Sequence, residues 1–278
     1  MRLKIEMQAN ISNTGASRVR DGKMAWHLLT DMKNQYVHTI DVFPPARVFE
    51  KAERNMVAAL KVPELSPGES FSPTVILRID TTTRDWLMEP QQVPEQIKKR
   101  IQGTFTGLQK FWEIDDSVVQ ELSQKIAEKS DDDEGYARLA HRVVREQVKL
   151  KTHLDERRGA ARAAREKEGD CDEHTDLFIA LVRAVRIPSR RVVGYFFKGE
   201  PNPEPHAWCE IFLDSVGWIP VDPALNRFGV LTENYFSRIR EGLVPERPTI
   251  QLKYSRPSSQ ALSIDETVKM SVFGNGTG

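Results

Sequence analysis

Cys171, His206 and Asp222 are the residue types that nucleophilic chemistry on a carbonyl needs. A cysteine thiolate attacks the carbonyl carbon. An imidazole takes and returns the proton, and a carboxylate fixes the imidazole tautomer and steadies its charged form. Each residue alone is weak evidence, and their order along the chain carries more. Cys171, one of 2 cysteines, follows Gly169-Asp170 and precedes Leu177, Phe178, Leu181, Ala184 and Val185. Those apolar positions recur at helical spacing, and the pattern stops before Pro188. Cys171 is therefore predicted at the N-terminus of a buried helix, where unpaired N–H groups and the positive end of the helix dipole favour a thiolate. The plainer fate of a lone cysteine is a small core residue.

The imidazole and carboxylate must be brought to that helix by strands. Residues 190–197 read as an apolar strand, 198–205 as a proline-rich loop, 206–213 as an alternating strand, 214–217 as a turn and 218–222 as the returning strand. In an antiparallel hairpin the numbers of facing residues sum to a constant. His206 and Asp222 share a face only if that constant is even. A regular turn of four residues between Leu213 and Trp218 makes it odd. A working triad therefore requires an odd loop, or a bulge near Gly217 or Pro220.

Rival assignments are weaker. Cys209 alternates with His206 on its strand and so points to the other face, into the core. His174, three residues after Cys171, suggests a zinc pair, but two further ligands are missing from the pattern and no metal is expected. Asp170 and Asp172 suit helix-start roles, Glu210 suits an arginine partner, and Trp208 and Trp218 suit the core. The acidic run 131–134 lacks calcium-loop spacing and reads as the cap of a following helix. His27 and His38 read as strand surface residues.

Residues 1–85 carry short alternating strands at 3–7, 35–43, 56–62 and 71–80, separated by turn clusters, which predicts a β-sandwich. Residues 86–94 read as a linker, with helices following at 118–126 and 136–148. Two more strands are predicted at 249–254 and 267–273. The layout is α+β, with an N-terminal domain over 1–88 and a catalytic domain over 95–278. The 278 residues carry 40 basic and 40 acidic side chains, which leaves no electrostatic case for nucleic acid or an anionic membrane. The basic stretch from Arg157 to Lys167 has no interleaved aromatics and reads as a solvated helix or a loop over the site. The apolar run 177–182 is too short to span a bilayer, and the alternating first residues are unlike a secretion signal, so a cytoplasmic protein is expected.

Three blocks of the chain resemble the transglutaminase-like superfamily, whose fold is papain-like. They are Gly169-Asp170-Cys171 with its helix through Ala184 and on to Ile187-Pro188-Ser189-Arg190-Arg191-Val192-Val193-Gly194-Tyr195, then His206-Ala207-Trp208-Cys209-Glu210, then Gly217-Trp218-Ile219-Pro220-Val221-Asp222-Pro223. The resemblance implies Cys171 as nucleophile, His206 as base and Asp222 as orienting acid, with no cofactor. It implies a thiol-dependent amide hydrolase acting on a peptide or protein. A glutamine transglutaminase or deamidase and an inactive binding module are the alternatives. Two positions depart from the family. The segment before the nucleophile, Val148-Lys149-Leu150, lacks the tryptophan some transglutaminases use as an oxyanion donor, which weighs against crosslinking. Arg186 stands where glycine is usual. The backbone N–H of Cys171 supplies one oxyanion donor.

Overall fold

The computed structural model describes residues 1–151, 156–242, 248–255 and 262–273. The chain opens with β1 (Arg2–Asn13), β2 (Arg20–His27), β3 (Gln35–Phe43), β4 (Arg47–Glu50), β5 (Met56–Val62), β6 (Ser70–Phe71), β7 (Thr74–Thr81) and β8 (Arg84–Asp85). Alternation explains the longest of these. Leu3, Ile5, Met7, Ala9 and Ile11 of β1 are all buried, while Arg2, Glu6 and Gln8 between them face outward. β3 and β5 fall where the pattern placed them. β2, whose Gly22, Met24 and Trp26 point inward while Asp21 and Lys23 are exposed, was not anticipated. His27 at its end is buried rather than superficial, whereas His38 is exposed and pairs with Asp80 at 3.0 Å.

Two sheets share the core these residues form. One runs β3-β7-β1 and the other β2-β5-β4, and in each the strand left at the edge is completed from the far end of the chain. β17 (Ile250–Ser255) pairs with β2, and β18 (Leu262–Val272) pairs with β1 from Leu3↔Val272 to Asn13↔Leu262. This corrects the expected division at 88 and 95. The C-terminal strands belong to the N-terminal sheets, where they cover the backbone groups that β1 and β2 would otherwise leave unpaired. The expected linker is also part of the fold. Trp86 is buried and its N–H donates to the Gly229 carbonyl at 2.8 Å, and the Gln91 N–H donates to Val216 at 2.8 Å.

Between the two visits to the sandwich lie α1 (Glu95–Thr104), α2 (Ser117–Ala127), α3 (Asp133–Gln147), β9 (Lys149–Leu150), α4 (Ala160–Glu166), β10 (Glu168–Gly169) and α5 (Cys171–Ala184). An antiparallel sheet follows, built from β11 (Ser189–Phe196), β12 (Glu204–Leu213), β13 (Gly217–Asp222), β14 (Arg227–Phe228) and β16 (Tyr235–Glu241), in the order β14-β13-β12-β11-β16. The short β15 (Val230–Leu231) pairs with β8. The acidic run caps α3 as expected, Asp132 accepting from the Gly135 N–H at 2.7 Å, and Asp116 caps α2, accepting from the Val118 N–H at 3.0 Å. α5 is the centre of this half. Its residues from Glu173 to Arg183 are all buried, against α2, α3 and α4 on one side and β11 and β12 on the other.

The end of α5 accounts for one departure from the family pattern. The Ile187 N–H donates to the Val182 carbonyl at 2.9 Å and the Arg186 N–H to Arg183 at 2.8 Å, a closing turn that requires a left-handed residue after the helix. Arg186 takes that conformation, with φ of +65°. A side chain held there costs about 1–2 kcal/mol, and more if it branches at Cβ. Arg186→Val is therefore expected to lower stability by about 1–2 kcal/mol in urea unfolding, with Arg186→Gly at least as stable as the parent. Equal stability of all three would show that the turn is not under strain.

Candidate active site

Cys171 is the first residue of α5 and is half-buried. Its place is set by the turn before it. The Asp170 carboxylate accepts from the Asp172 N–H at 2.8 Å, and the Glu173 carboxylate reaches back to the Asp170 N–H at 3.1 Å, a reciprocal cap. Glu173 is wholly buried and also accepts from the Arg158 N–H at 2.8 Å; burial raises its carboxyl to about 7 against the pull of those donors. Gly169 permits the approach, because a Cβ there would lie 2.3 Å from that of Glu173. β10 also pairs in parallel with β9, holding the segment to Lys149 and Leu150.

The hairpin brings up the other two residues. β12 and β13 are in register from Cys209↔Val221 to Leu213↔Gly217, so the loop between them is Asp214 to Val216, three residues, and Gly217 takes φ of +90°. The odd loop makes the register constant even. Asp222 stands opposite Trp208 and diagonal to His206, on the same face. His206 Nε2 and Asp222 Oδ2 are 2.7 Å apart. The remaining ring nitrogen is the one available to the Cys171 side chain, with which His206 also hydrogen-bonds. A further bond, Thr175 Oγ1 to the Ala207 carbonyl at 3.2 Å, ties α5 to the strand beside His206.

Burial and charge act against each other at His206. Burial alone would lower its pKa, but the hydrogen bond and charge of Asp222 and the bond to Cys171 outweigh it and raise the imidazole to about 10. Asp222 is fully buried, yet the donors from His206, Leu225 and Tyr235 hold its carboxyl below the ordinary range. The ring of His206 lies in an aromatic enclosure, stacked on Trp208 at 6.0 Å and near Phe196 and Tyr235. Cys171 and His206 open onto one cavity of about 450 Å³, with Leu150, Val193, Phe196 and Leu225 among its walls.

The rival residues lie elsewhere. Cys209 is wholly buried, its thiol pushed well up by burial, and its Sγ donates to the Val221 carbonyl at 3.2 Å. Both cysteines are free. The ring nitrogens of His174 face the carbonyls of Asp170 and Val148 at 2.7 and 3.0 Å, not the cavity. Among the described residues Asp170, Cys171 and Asp172 are close enough to hold a metal ion, but Asp170 caps the helix and Asp172 is paired with Arg191. Glu210 is the arginine partner expected of it, 2.6 Å from Arg190. Trp208 is core against His206, and Trp218 lies under Arg190, away from the cavity.

The basic stretch follows the expectation of a solvated helix at Arg162 and Arg165 of α4, both exposed, and departs from it at Arg157, whose side chain is only 8% exposed. Arg157 grips the wholly buried Asp176 of α5 at 2.6 and 2.7 Å and lies over the Phe111 ring at 4.3 Å. Beside it Arg191 joins Asp172 to Glu241. Sequence reasoning also missed Tyr235, whose hydroxyl donates to Asp222 Oδ2 at 2.7 Å.

Comparison with known proteins agrees with this architecture. Residues 120–223 match the model of the transglutaminase-like superfamily. A candidate cysteine protease from Cytophaga hutchinsonii superposes with a TM-score of 0.59 at 18% identity, covering 98% of this chain and 98% of that one, and so shares the fold. The periplasmic domain of TgpA from Pseudomonas aeruginosa, bound to ethylmercury, gives a TM-score of 0.42 at 13% identity over 77% of this chain and 88% of that one. No curated protein matches the chain. Among the described residues no helix is long and apolar enough to cross a membrane. The matched residues 120–223 hold all three motif blocks, and over that stretch the chain is similar to the transglutaminase-like superfamily.

Proposed function

We propose that the protein is a thiol-dependent amide hydrolase acting on a peptide or protein, with Cys171 as nucleophile, His206 as base and Asp222 as orienting acid. The observation that carries the reading is the His206–Asp222 bond of 2.7 Å, on a face that opens with Cys171 onto one cavity. The sulfur attacks the carbonyl carbon, and a C–S bond forms as the carbonyl electrons move to oxygen. The Cys171 N–H, first in the helix, donates to that oxygen. The amide nitrogen leaves with the proton held by His206. Water then attacks the thioester and gives one proton to His206, and the C–S bond breaks to release the acid and the Cys171 thiolate beside the imidazolium. An imidazolium beside the sulfur is the charge a thiolate nucleophile needs, and the position of His206 on the pH scale keeps it protonated through neutrality.

Iodoacetamide at pH 6 tests the nucleophile without a substrate, well below the ordinary thiol value of about 8.5. Rapid alkylation of Cys171, none of Cys209, and loss of the fast phase in His206→Ala are expected. Alkylation that waits for pH 8.5 and ignores His206→Ala would overturn the assignment. A panel of peptide and glutamine substrates, with and without an added amine, then decides whether water or an amine resolves the acyl-enzyme. An amine adduct as main product would replace hydrolysis by transfer.

A further inference from the structure

Asp222 Oδ2 serves two donors. His206 Nε2 approaches it at 2.7 Å from β12 and Tyr235 Oη at 2.7 Å from β16, while Oδ1 takes the Leu225 N–H at 3.0 Å. Tyr235 is wholly buried, edge-on to Phe196 and Trp208 with ring centres 5.0 and 5.3 Å apart. The ring is fixed by packing and its hydroxyl has the carboxylate as acceptor. Nothing in the proposed reaction uses this phenol, and a strand spent on holding a buried hydroxyl against a buried carboxylate needs a reason.

We propose that Tyr235 is a positioning residue for His206: its hydroxyl locks the Asp222 carboxylate against the ring nitrogen and draws off part of the charge that would otherwise over-stabilise the imidazolium. The inference deepens the proposed triad and rests on its His206–Asp222 half. A carboxylate shared between two donors is a weaker acceptor for each. His206 therefore gives up its proton more readily when the leaving amine needs it, at no loss of orientation. The titratable and charged groups around this pair are Cys171 from α5, His141 from α3, which hydrogen-bonds the Asp222 backbone, Arg227 from β14 beside Tyr235, and Tyr235 itself. Arg138 and Arg145 lie beyond His141. Of these Tyr235 donates to the carboxylate oxygen that faces His206.

The test is the titration of His206 by NMR of protein labelled with 15N-histidine, in the parent, Tyr235→Phe and Asp222→Asn. Phenylalanine keeps the ring and its packing and removes one oxygen. In Tyr235→Phe the His206 midpoint should rise by about half to one pH unit, and the His206 Nε2 proton should move downfield as its bond to Asp222 shortens. Biosynthetic 3-fluorotyrosine, a stronger donor, should shift the midpoint the other way. With Asp222→Asn in place, Tyr235→Phe should shift nothing, because the effect passes through the carboxylate. An unchanged or lowered midpoint in Tyr235→Phe, or an equal shift with and without Asp222, would overturn the inference. Repeating the series in Cys171→Ala separates it from the nucleophile assignment. A Tyr235 effect that persists there stands even if Cys171 proves unreactive, and one absent from both backgrounds fails while the alkylation test still stands.

Discussion

Cys171→Ala is expected to lower amidase activity by about 10⁴-fold or more while leaving the fold unchanged. The sulfur makes and breaks the covalent bond in the proposed reaction, and no neighbouring group can replace it. The other thiol, Cys209, is sealed in the core with its proton held more tightly by burial. The fold should not notice the change. Cys171 is half-buried at the first position of α5, alanine is a good helix former, and the cap made by Asp170 and Glu173 uses neither Cβ nor sulfur of residue 171. Unfolding midpoints should agree within about 0.5 kcal/mol. Activity retained in Cys171→Ala and lost in Cys209→Ala would move the nucleophile. Asp222→Asn should be impaired as well, since an amide can hold the ring but cannot offset its charge.

The second large effect is on stability. Arg157→Ala is expected to cost about 3–5 kcal/mol, because it strands Asp176, which has no exposed surface, without its cation. Burial already raises the Asp176 carboxyl above its ordinary value despite the charge of Arg157. With the arginine gone the folded-state value climbs further above that of the unfolded chain, so the destabilisation should grow as pH rises from 5 to 8. Replacing both members, Arg157→Met with Asp176→Asn, should recover much of the loss. Asparagine still accepts from Trp112 Nε1, now 2.8 Å from Asp176, and the methionine can lie over the Phe111 ring. Urea unfolding at the two pH values measures this. A cost below about 1 kcal/mol in Arg157→Ala would mean that the pair is solvated enough to matter little.

What the sequence made legible was local. The glycine, the aspartate cap and the spacing of Leu177, Phe178 and Leu181 placed Cys171 at a helix start, and the structure has it at the first residue of α5. Alternation placed β3 and β5 to the residue. Parity alone showed that a hairpin joining His206 to Asp222 needed either an odd loop or a bulge, and Asp214 to Val216 is the odd loop. These rules work because a helix period, a strand period and a turn are each decided by residues a few positions apart.

The rest was decided by contacts between residues far apart in the chain. The return of β17 and β18 to the sheets of β2 and β1 follows from unpaired strand edges, and an edge is a property of the assembled sheet that no local pattern records. Arg157 looked solvated because its neighbours are charged. Its burial depends on Asp176 and Phe111, which only packing brings beneath it. Tyr235 was invisible because every residue of β16 is buried, with the sandwich on one face and the helical layer on the other, so the strand has no alternation to read. The sequence by itself determined which residues the chain offers for thiol chemistry and the local elements that carry them. The tertiary structure decided which charges are buried, which strands complete each sheet and what holds Asp222, because those depend on burial and pairing that exist only once distant segments meet.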